Sequence, residues 1–312
     1  MSKTTFYSVV NVETELCGIK LRNPTILASG IVGVSGAACM YAAKNGAGAI
    51  VPKSIGPVER EGHNNPVLTE FEGGFLNAVG LPNSGVDSSL EEIESAMKNS
   101  GVPVFPSIFG GTKEEYGEVA KKISVLNPQM IEVNLSCPNT ANDFGTPFAL
   151  DANEASEVIK IVKENTTAKI SAKLGPNVPD IKAIAKAVVE AGADAISAIN
   201  TMPGMVIDVK TAKPVLHNKQ GGISGHALKP IAVNCVYEIY KAVNVPIIGI
   251  GGVSTGEDAA EMIMAGATAV GIGTGIYYRG IDVFSKVSYE LQKLMDELGY
   301  DSIEKMKGAA HK

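Results

Sequence analysis

Eight short runs of apolar and small residues recur along the chain, separated by stretches whose apolar positions fall three or four residues apart. The runs are TILA (25–28), AIVP (49–52), VFPSIF (104–109), MIEVN (130–134), KISAK (169–173), AISAI (195–199), PIIGI (246–250) and AVGIG (269–273). Runs of this length bury as strands, whereas the intervening spacing marks amphipathic helices. Thr112 and Glu115 form a capping box ahead of Tyr116, Val119, Ala120 and Ile123, which share one helical face. Asp180 caps a second such helix, with Ile181, Ile184, Ala185 and Val188 in register. Ser254 with Glu257 is expected to box a third, before AAEMIMAG. Three helix-to-strand joints, NGAGAIV (45–51), AGADAIS (191–197) and AGATAVG (265–271), place a glycine where the helix must stop.

Strands alternating with helices through short turns predict an α/β fold, a (β/α)8 TIM barrel. A doubly wound open sheet is the alternative, but no G-x-G-x-x-G follows the first run. VETEL and IKL around Cys17-Gly18 predict an N-terminal hairpin that caps the barrel floor. The stretches 55–100 and 202–225 exceed ordinary barrel loops and are expected as long loops over the C-terminal face, walls or lid of a site. No linker divides residues 1–312, so one domain is expected.

Active sites of such barrels lie at the C-terminal strand ends. Those ends read Ser29-Gly30, Lys53-Ser54, Ser107, Asn134 to Cys137, Lys173, Asn200-Thr201, Gly251-Gly252 and Gly273-Thr274. Any one is ordinary turn chemistry; together they predict a polar ring. In IEVNLSCPN (131–139) the strand must stop at Pro138, gathering Asn134, Ser136, Cys137 and Asn139 at its tip. Cys137 is there a proton acceptor between amides, or simply a small buried thiol. GIGGVS and GIGTG let backbone N–H groups approach a phosphate, beside the N-terminus of the helix after Ser254, or are tight turns only. Lys53 and Lys173 suit a flavin, whose reduced ring gains negative charge. Pyridoxal phosphate is the rival, and would leave Cys137 and the asparagines idle.

Composition narrows the rest. The 312 residues are 45% hydrophobic with 34 glycines and no tryptophan, enough for a large core with tight loops. A net charge of −6 without dense Lys/Arg runs argues against nucleic acid. No apolar segment approaches the roughly 20 residues of a membrane span, and no signal peptide is expected at the N-terminus, so a cytoplasmic protein is expected. Cys17, Cys39, Cys137 and Cys235 form no C-x-x-C pair, and the four histidines no metal spacing, so no metal or iron–sulfur cluster is expected on this chain.

VNLSCPN (133–139), NAVGLPN (77–83), INT (199–201), GGISG (221–225) with ALKP (227–230), GIGGVS and GIGTG closely resemble the dihydroorotate dehydrogenase family, over about Leu16 to Phe284. The resemblance implies a (β/α)8 barrel that binds one FMN per chain and oxidises (S)-dihydroorotate to orotate in pyrimidine synthesis. Cys137 resembles the catalytic base of the soluble class, membrane-bound relatives having serine. NTMPGMVIDVKTAKPVL (200–216) before GGISG looks like the NAD-linked type, which implies a homodimer core and a partner subunit carrying FAD and a 2Fe-2S cluster. Carried over by motif, Ser29, Lys53, Ser54, Asn134, Lys173, Ile199, Gly225, Gly251, Gly252, Gly273 and Thr274 would contact FMN. Lys53, Asn77, Ala78, Val79, Gly80, Leu81, Asn134, Asn139, Asn200 and Thr201 would meet substrate. Relatives often have asparagine near the flavin where this chain has Ser107, whose flavin contact is carried with its shorter reach. The loop after Pro138 (TANDFGTPF) is expected as a lid. A fumarate-reducing homodimer, a dihydropyrimidine dehydrogenase-like subunit and a flavin-storing scaffold are the alternatives.

Overall fold

A computed structural model describes residues 10–135 and 148–312. All eight runs form parallel strands: Thr25–Leu27 (β1), Ala49–Ile50 (β2), Ser107–Ile108 (β3), Met130–Asn134 (β4), Lys169–Leu174 (β5), Ala195–Ala198 (β6), Ile247–Ile250 (β7) and Ala269–Ile272 (β8). They pair in the order β2-β1-β8-β7-β6-β5-β4-β3, and bridges from Ile50 to Val104 and Ile55 to Ile108 join the two outer strands. The sheet thus closes into a (β/α)8 barrel. β2 and β3 are shorter than their runs because Pro52, Pro103 and Pro106 cannot donate to a ladder. The seam is held instead by Ile50 N–H to Pro103 O at 2.9 Å and Phe105 N–H to Ile50 O at 2.8 Å.

Side chains alternate across each strand, and this sorts the runs into two surfaces. Ile131 and Val133 join the large core between sheet and helices, while Met130 packs inside the barrel with Phe105, Ala195, Ile248 and Ala269. The same alternation turns Glu132 and Asn134 inward above Met130. The floor is closed by the hairpin Thr14–Leu16 and Ile19–Leu21, whose turn residues Cys17 and Gly18 have φ of 54° and 84°. Positive φ at both turn positions matches the twist of a two-residue hairpin. Leu16, Ile19 and Leu21 fill the barrel from below.

The outer helices are Gly36–Lys44 (α1), Val86–Asn99 (α2), Lys113–Ile123 (α3), Ala152–Glu164 (α4), Ile181–Glu190 (α5), Lys229–Ala242 (α6), Gly256–Ala265 (α7) and Val283–Leu298 (α8). The Thr112/Glu115 box and the Asp180 cap form as expected. Gly46, Gly192 and Gly266 take positive φ at the three predicted stops. The stretch 55–100 is not one loop, since α2 occupies its second half with Val86, Ser89, Ile93 and Ala96 buried. Its first half and 202–225 combine: Leu68–Phe71, Gly74–Asn77, Gly221–Ser224 and Met202–Gly204 form one four-stranded antiparallel sheet.

At α7 the box lies one residue later than expected. Thr255, in extended conformation, is the N-cap and Asp258 its partner, in place of Ser254 and Glu257. The Asp258 carboxylate accepts from Ser254 N–H (2.9 Å), Ser254 Oγ (3.1 Å) and Thr255 N–H (2.9 Å), and pairs with Lys229 Nζ at 2.8 Å. Burial opposes its ionised form, but the Lys229, Ser254 and Thr255 donors outweigh burial and hold its carboxyl at about 2, down from 3.8. A depressed folded pKa stabilises above the unfolded value and loses that stability as pH falls through the folded one. Between pH 4 and 2, denaturant melts should therefore lose about 1–2 kcal/mol from this group after solvent screening. Asp258→Asn should be less stable at neutral pH and flatter across that acid window.

Candidate active site

The strand ends and the four-stranded sheet enclose a cavity of about 410 Å³ at the barrel mouth, within the usual size of small-molecule sites. β1 contributes Ala28, Ser29 and Gly30; the chain after β2 contributes Lys53 and Ser54; β4, β5 and β6 contribute Asn134, Lys173, Ile199, Asn200 and Thr201. Gly251, Gly252, Gly273, Thr274 and Gly275 line the side at β7 and β8. From the sheet above come Phe75, Asn77, Val79, Gly80, Leu81, Ser224 and Gly225. Register explains part of this gathering, because Asn134 pairs with Lys173 and Lys173 with Ser197 on adjoining strands. Gly222 lets the covering sheet lie on the tip of β6: a Cβ there would meet Thr201 Oγ1 at 2.0 Å.

Two of the residues singled out in the sequence stand elsewhere. Ser107 is fully buried beneath the cavity, bonded to Ser54 Oγ at 2.9 Å and to Glu132 Oε1 at 3.1 Å. Ala78 packs with Leu76 and Leu216 inside the covering sheet. Ser136, Cys137, Asn139 and the expected lid as far as Pro147 lie outside the described residues.

The expected phosphate donor at the helix after Ser254 is corrected by its contacts. The N–H groups of Ser254 and Thr255 are given to Asp258, and that of Gly256 to Glu290 at 2.8 Å. Glu290 is itself held by Arg279 at 2.6 and 2.9 Å. Carboxylates already occupy this helix start, so it is not an open anion site. Gly273 behaves differently. A Cβ built on it would meet only Ile31 at 3.7 Å and Ala28 at 4.0 Å, so it faces open cavity and leaves room for a ligand.

Sequence reasoning missed Glu132, Phe75 and Tyr277. Glu132 is 2% exposed, with its carboxylate 3.6 Å from Lys173 Nζ. Its signal was the period-two set Met130, Glu132 and Asn134, hidden inside what reads as an apolar run. Phe75 and Tyr277 pack edge to face at 4.5 Å and form an aromatic wall. Among the described lining residues the ionisable groups are Lys53, Lys173 and Tyr277, with no carboxylate, imidazole or thiol. The described thiols of Cys17, Cys39 and Cys235 are pushed up to about 11 by burial, Cys17 and Cys39 further by Asp194 and Glu92, which keeps them protonated. Among the described residues no three His, Cys, Asp or Glu side chains gather to hold a metal, and no helix is long and apolar enough to cross a membrane.

A closed barrel with a deep, amide-lined and lysine-bearing mouth at its C-terminal face defines an α/β-barrel enzyme. Its family follows from comparison. Residues 11–295 match the family model described as Dihydroorotate dehydrogenase. The chain is 46% identical over 297 residues to a Methanosarcina mazei protein named "Dihydroorotate dehydrogenase B (NAD(+)), catalytic subunit", covering 95% of this chain and 94% of that one. A Methanocaldococcus jannaschii protein of the same name is 47% identical over 303 residues, 96% of this chain and 98% of its own. One from Pyrococcus abyssi is 42% identical over 301 residues, 96% and 99% respectively. The chain belongs to the dihydroorotate dehydrogenase family, and is an oxidoreductase.

Proposed function

We propose that the chain oxidises (S)-dihydroorotate to orotate in de novo UMP synthesis, in the cytoplasm, as the catalytic subunit of an NAD-linked enzyme. The observation that carries this reading is the cavity's chemistry. Lys53 suits an anionic ligand, Lys173 beside it being paired with the buried Glu132, and Asn77, Asn134 and Asn200 suit a ring of alternating N–H and C=O groups. Buried directional pairing of this kind rejects rings that lack those groups. The relatives' names supply the reaction and the acceptor.

The residues present fit FMN. The open space above Gly273, with Thr274, Gly251, Gly252 and Gly225 around it, suits a phosphate approached by backbone. Ser29 and the two lysines suit a polar ring edge, Ser54 holds Ser29 from beneath at 3.0 Å, and Ile199 offers an apolar surface beside them. Bound there, FMN supplies a two-electron acceptor for the hydride leaving C6. The chain's own task is to hold the ring and remove the C5 proton. The described lining holds no carboxylate, imidazole or thiol, and we assign that step to Cys137, the base that the family resemblance implies. Lys53 takes the substrate carboxylate; Asn77, Val79, Gly80, Leu81, Asn139, Asn200 and Thr201 surround the ring. The chain forms a homodimer core and passes electrons to a partner subunit carrying FAD and a 2Fe-2S cluster.

Purifying the chain alone and supplying dihydroorotate with NAD, fumarate or an artificial dye tests the proposal. Turnover with dye but not NAD is expected. Turnover with fumarate would move the chain to the homodimeric class. Preference for dihydrouracil, or no oxidation with dye, would refute the assignment.

A further inference from the structure

Beneath the cavity runs a chain of hydrogen bonds whose direction one buried group decides. A carboxylate can only accept, so Ser107 spends its single hydroxyl hydrogen on Glu132 Oε1, 3.1 Å away. Ser54 Oγ, 2.9 Å from Ser107 Oγ, must then be the donor of that pair. With its own hydrogen committed, Ser54 accepts from Ser29 Oγ at 3.0 Å and from Asn134 Nδ2 at 3.3 Å. This fixes the Asn134 amide with nitrogen toward Ser54. Its Oδ1 faces Asn200 Nδ2 at 3.4 Å, and Asn200 Oδ1 accepts from Thr201 N–H at 2.8 Å. An amide flip at Asn134 would set its oxygen against a hydroxyl with no hydrogen to give.

We propose that Glu132 is a positioning residue: from below the cavity it sets donor and acceptor roles through Ser107, Ser54, Ser29, Asn134 and Asn200. Its place supports this assignment. Glu132 is on β4 opposite Ser107 of β3, two residues before Asn134, and its charge is balanced by Lys173 on β5. Ser29 then meets the cavity as an acceptor, and Asn134 meets it with one orientation. A neutral group at 132 would leave both choices open. The inference adds a specificity role to the proposed site and rests on that reading only where a ligand is named.

Neutron diffraction from deuterium-exchanged crystals of the full chain tests the direction without a ligand. The Ser107 deuterium should point to Glu132, that of Ser54 to Ser107, and that of Ser29 to Ser54. A Ser54 deuterium aimed at Ser29, or a deuterium on Glu132, would overturn the proposal. A second test titrates orotate into the FMN-loaded protein, following flavin absorbance, for wild type, Glu132→Gln, Ser107→Ala and the double variant. Ser107→Ala leaves the Glu132–Lys173 pair intact and so covers the case in which Glu132→Gln does not fold. Each single change should raise the orotate dissociation constant about tenfold, and the double change by about the same factor, because the two act as one unit. An unchanged constant in Ser107→Ala, or effects of the pair that multiply, would also overturn it. If wild type itself does not bind orotate, the proposed substrate fails while the deuterium positions still decide the relay.

Discussion

Cys137→Ala is expected to keep a yellow flavin that dihydroorotate bleaches slowly or not at all. The flavin contacts proposed above come from Ser29, Lys53, Lys173 and the glycine tips, none of which this change alters. What it deletes is the proposed base. A positioned general base contributes about 10²–10⁴-fold, so anaerobic stopped-flow should show flavin reduction slowed by about that factor. The described lining residues include no carboxylate, imidazole or thiol to take its place. Cys137→Ser should retain some activity that rises toward alkaline pH. A free thiol ionises near pH 8.5, and a hydroxyl needs far stronger assistance. Near-normal flavin reduction in Cys137→Ala would remove the thiol from the mechanism.

Much of this architecture is legible without coordinates, and its illegible parts have identifiable causes. The eight runs are eight strands because burial on both faces of a closed sheet leaves a continuous apolar signal. Their ends were less legible at β2 and β3, where prolines remove ladder donors and single bridges replace a ladder. The box at α7 shifted by one residue because Asp258 binds both the cap and the residue before it, a choice spacing does not encode. The covering sheet was invisible for a different reason. Asn77 pairs with Gly222 across 145 residues of chain, and no local pattern specifies such a partner. Ser107 and Glu132 show the limit at the site itself. Both were in view as residues, yet only the inward turn of alternate positions on β3 and β4 reveals them as one buried unit under Ser54 and Asn134.

The same geometry separates two glycines that look alike in sequence. Gly251 has φ of 140° and a Cβ there would lie 2.6 Å from Ala232, so any side chain strains the fold. Gly273 has an ordinary backbone, and its nearest neighbours stand at 3.7 and 4.0 Å on the cavity wall. Gly273→Val should therefore fold, with far-UV circular dichroism and an apoprotein melting temperature close to wild type. Its methyl groups would instead take the space proposed for the FMN phosphate end. Overpacking a fitted site costs about 1–3 kcal/mol, so fluorescence titration should show FMN affinity reduced by about ten- to a hundredfold. Gly251→Ala should do the opposite, lowering the melting temperature of the apoprotein itself. Normal FMN binding by a well-folded Gly273→Val would place the phosphate away from the β8 tip and require another anchor for the cofactor.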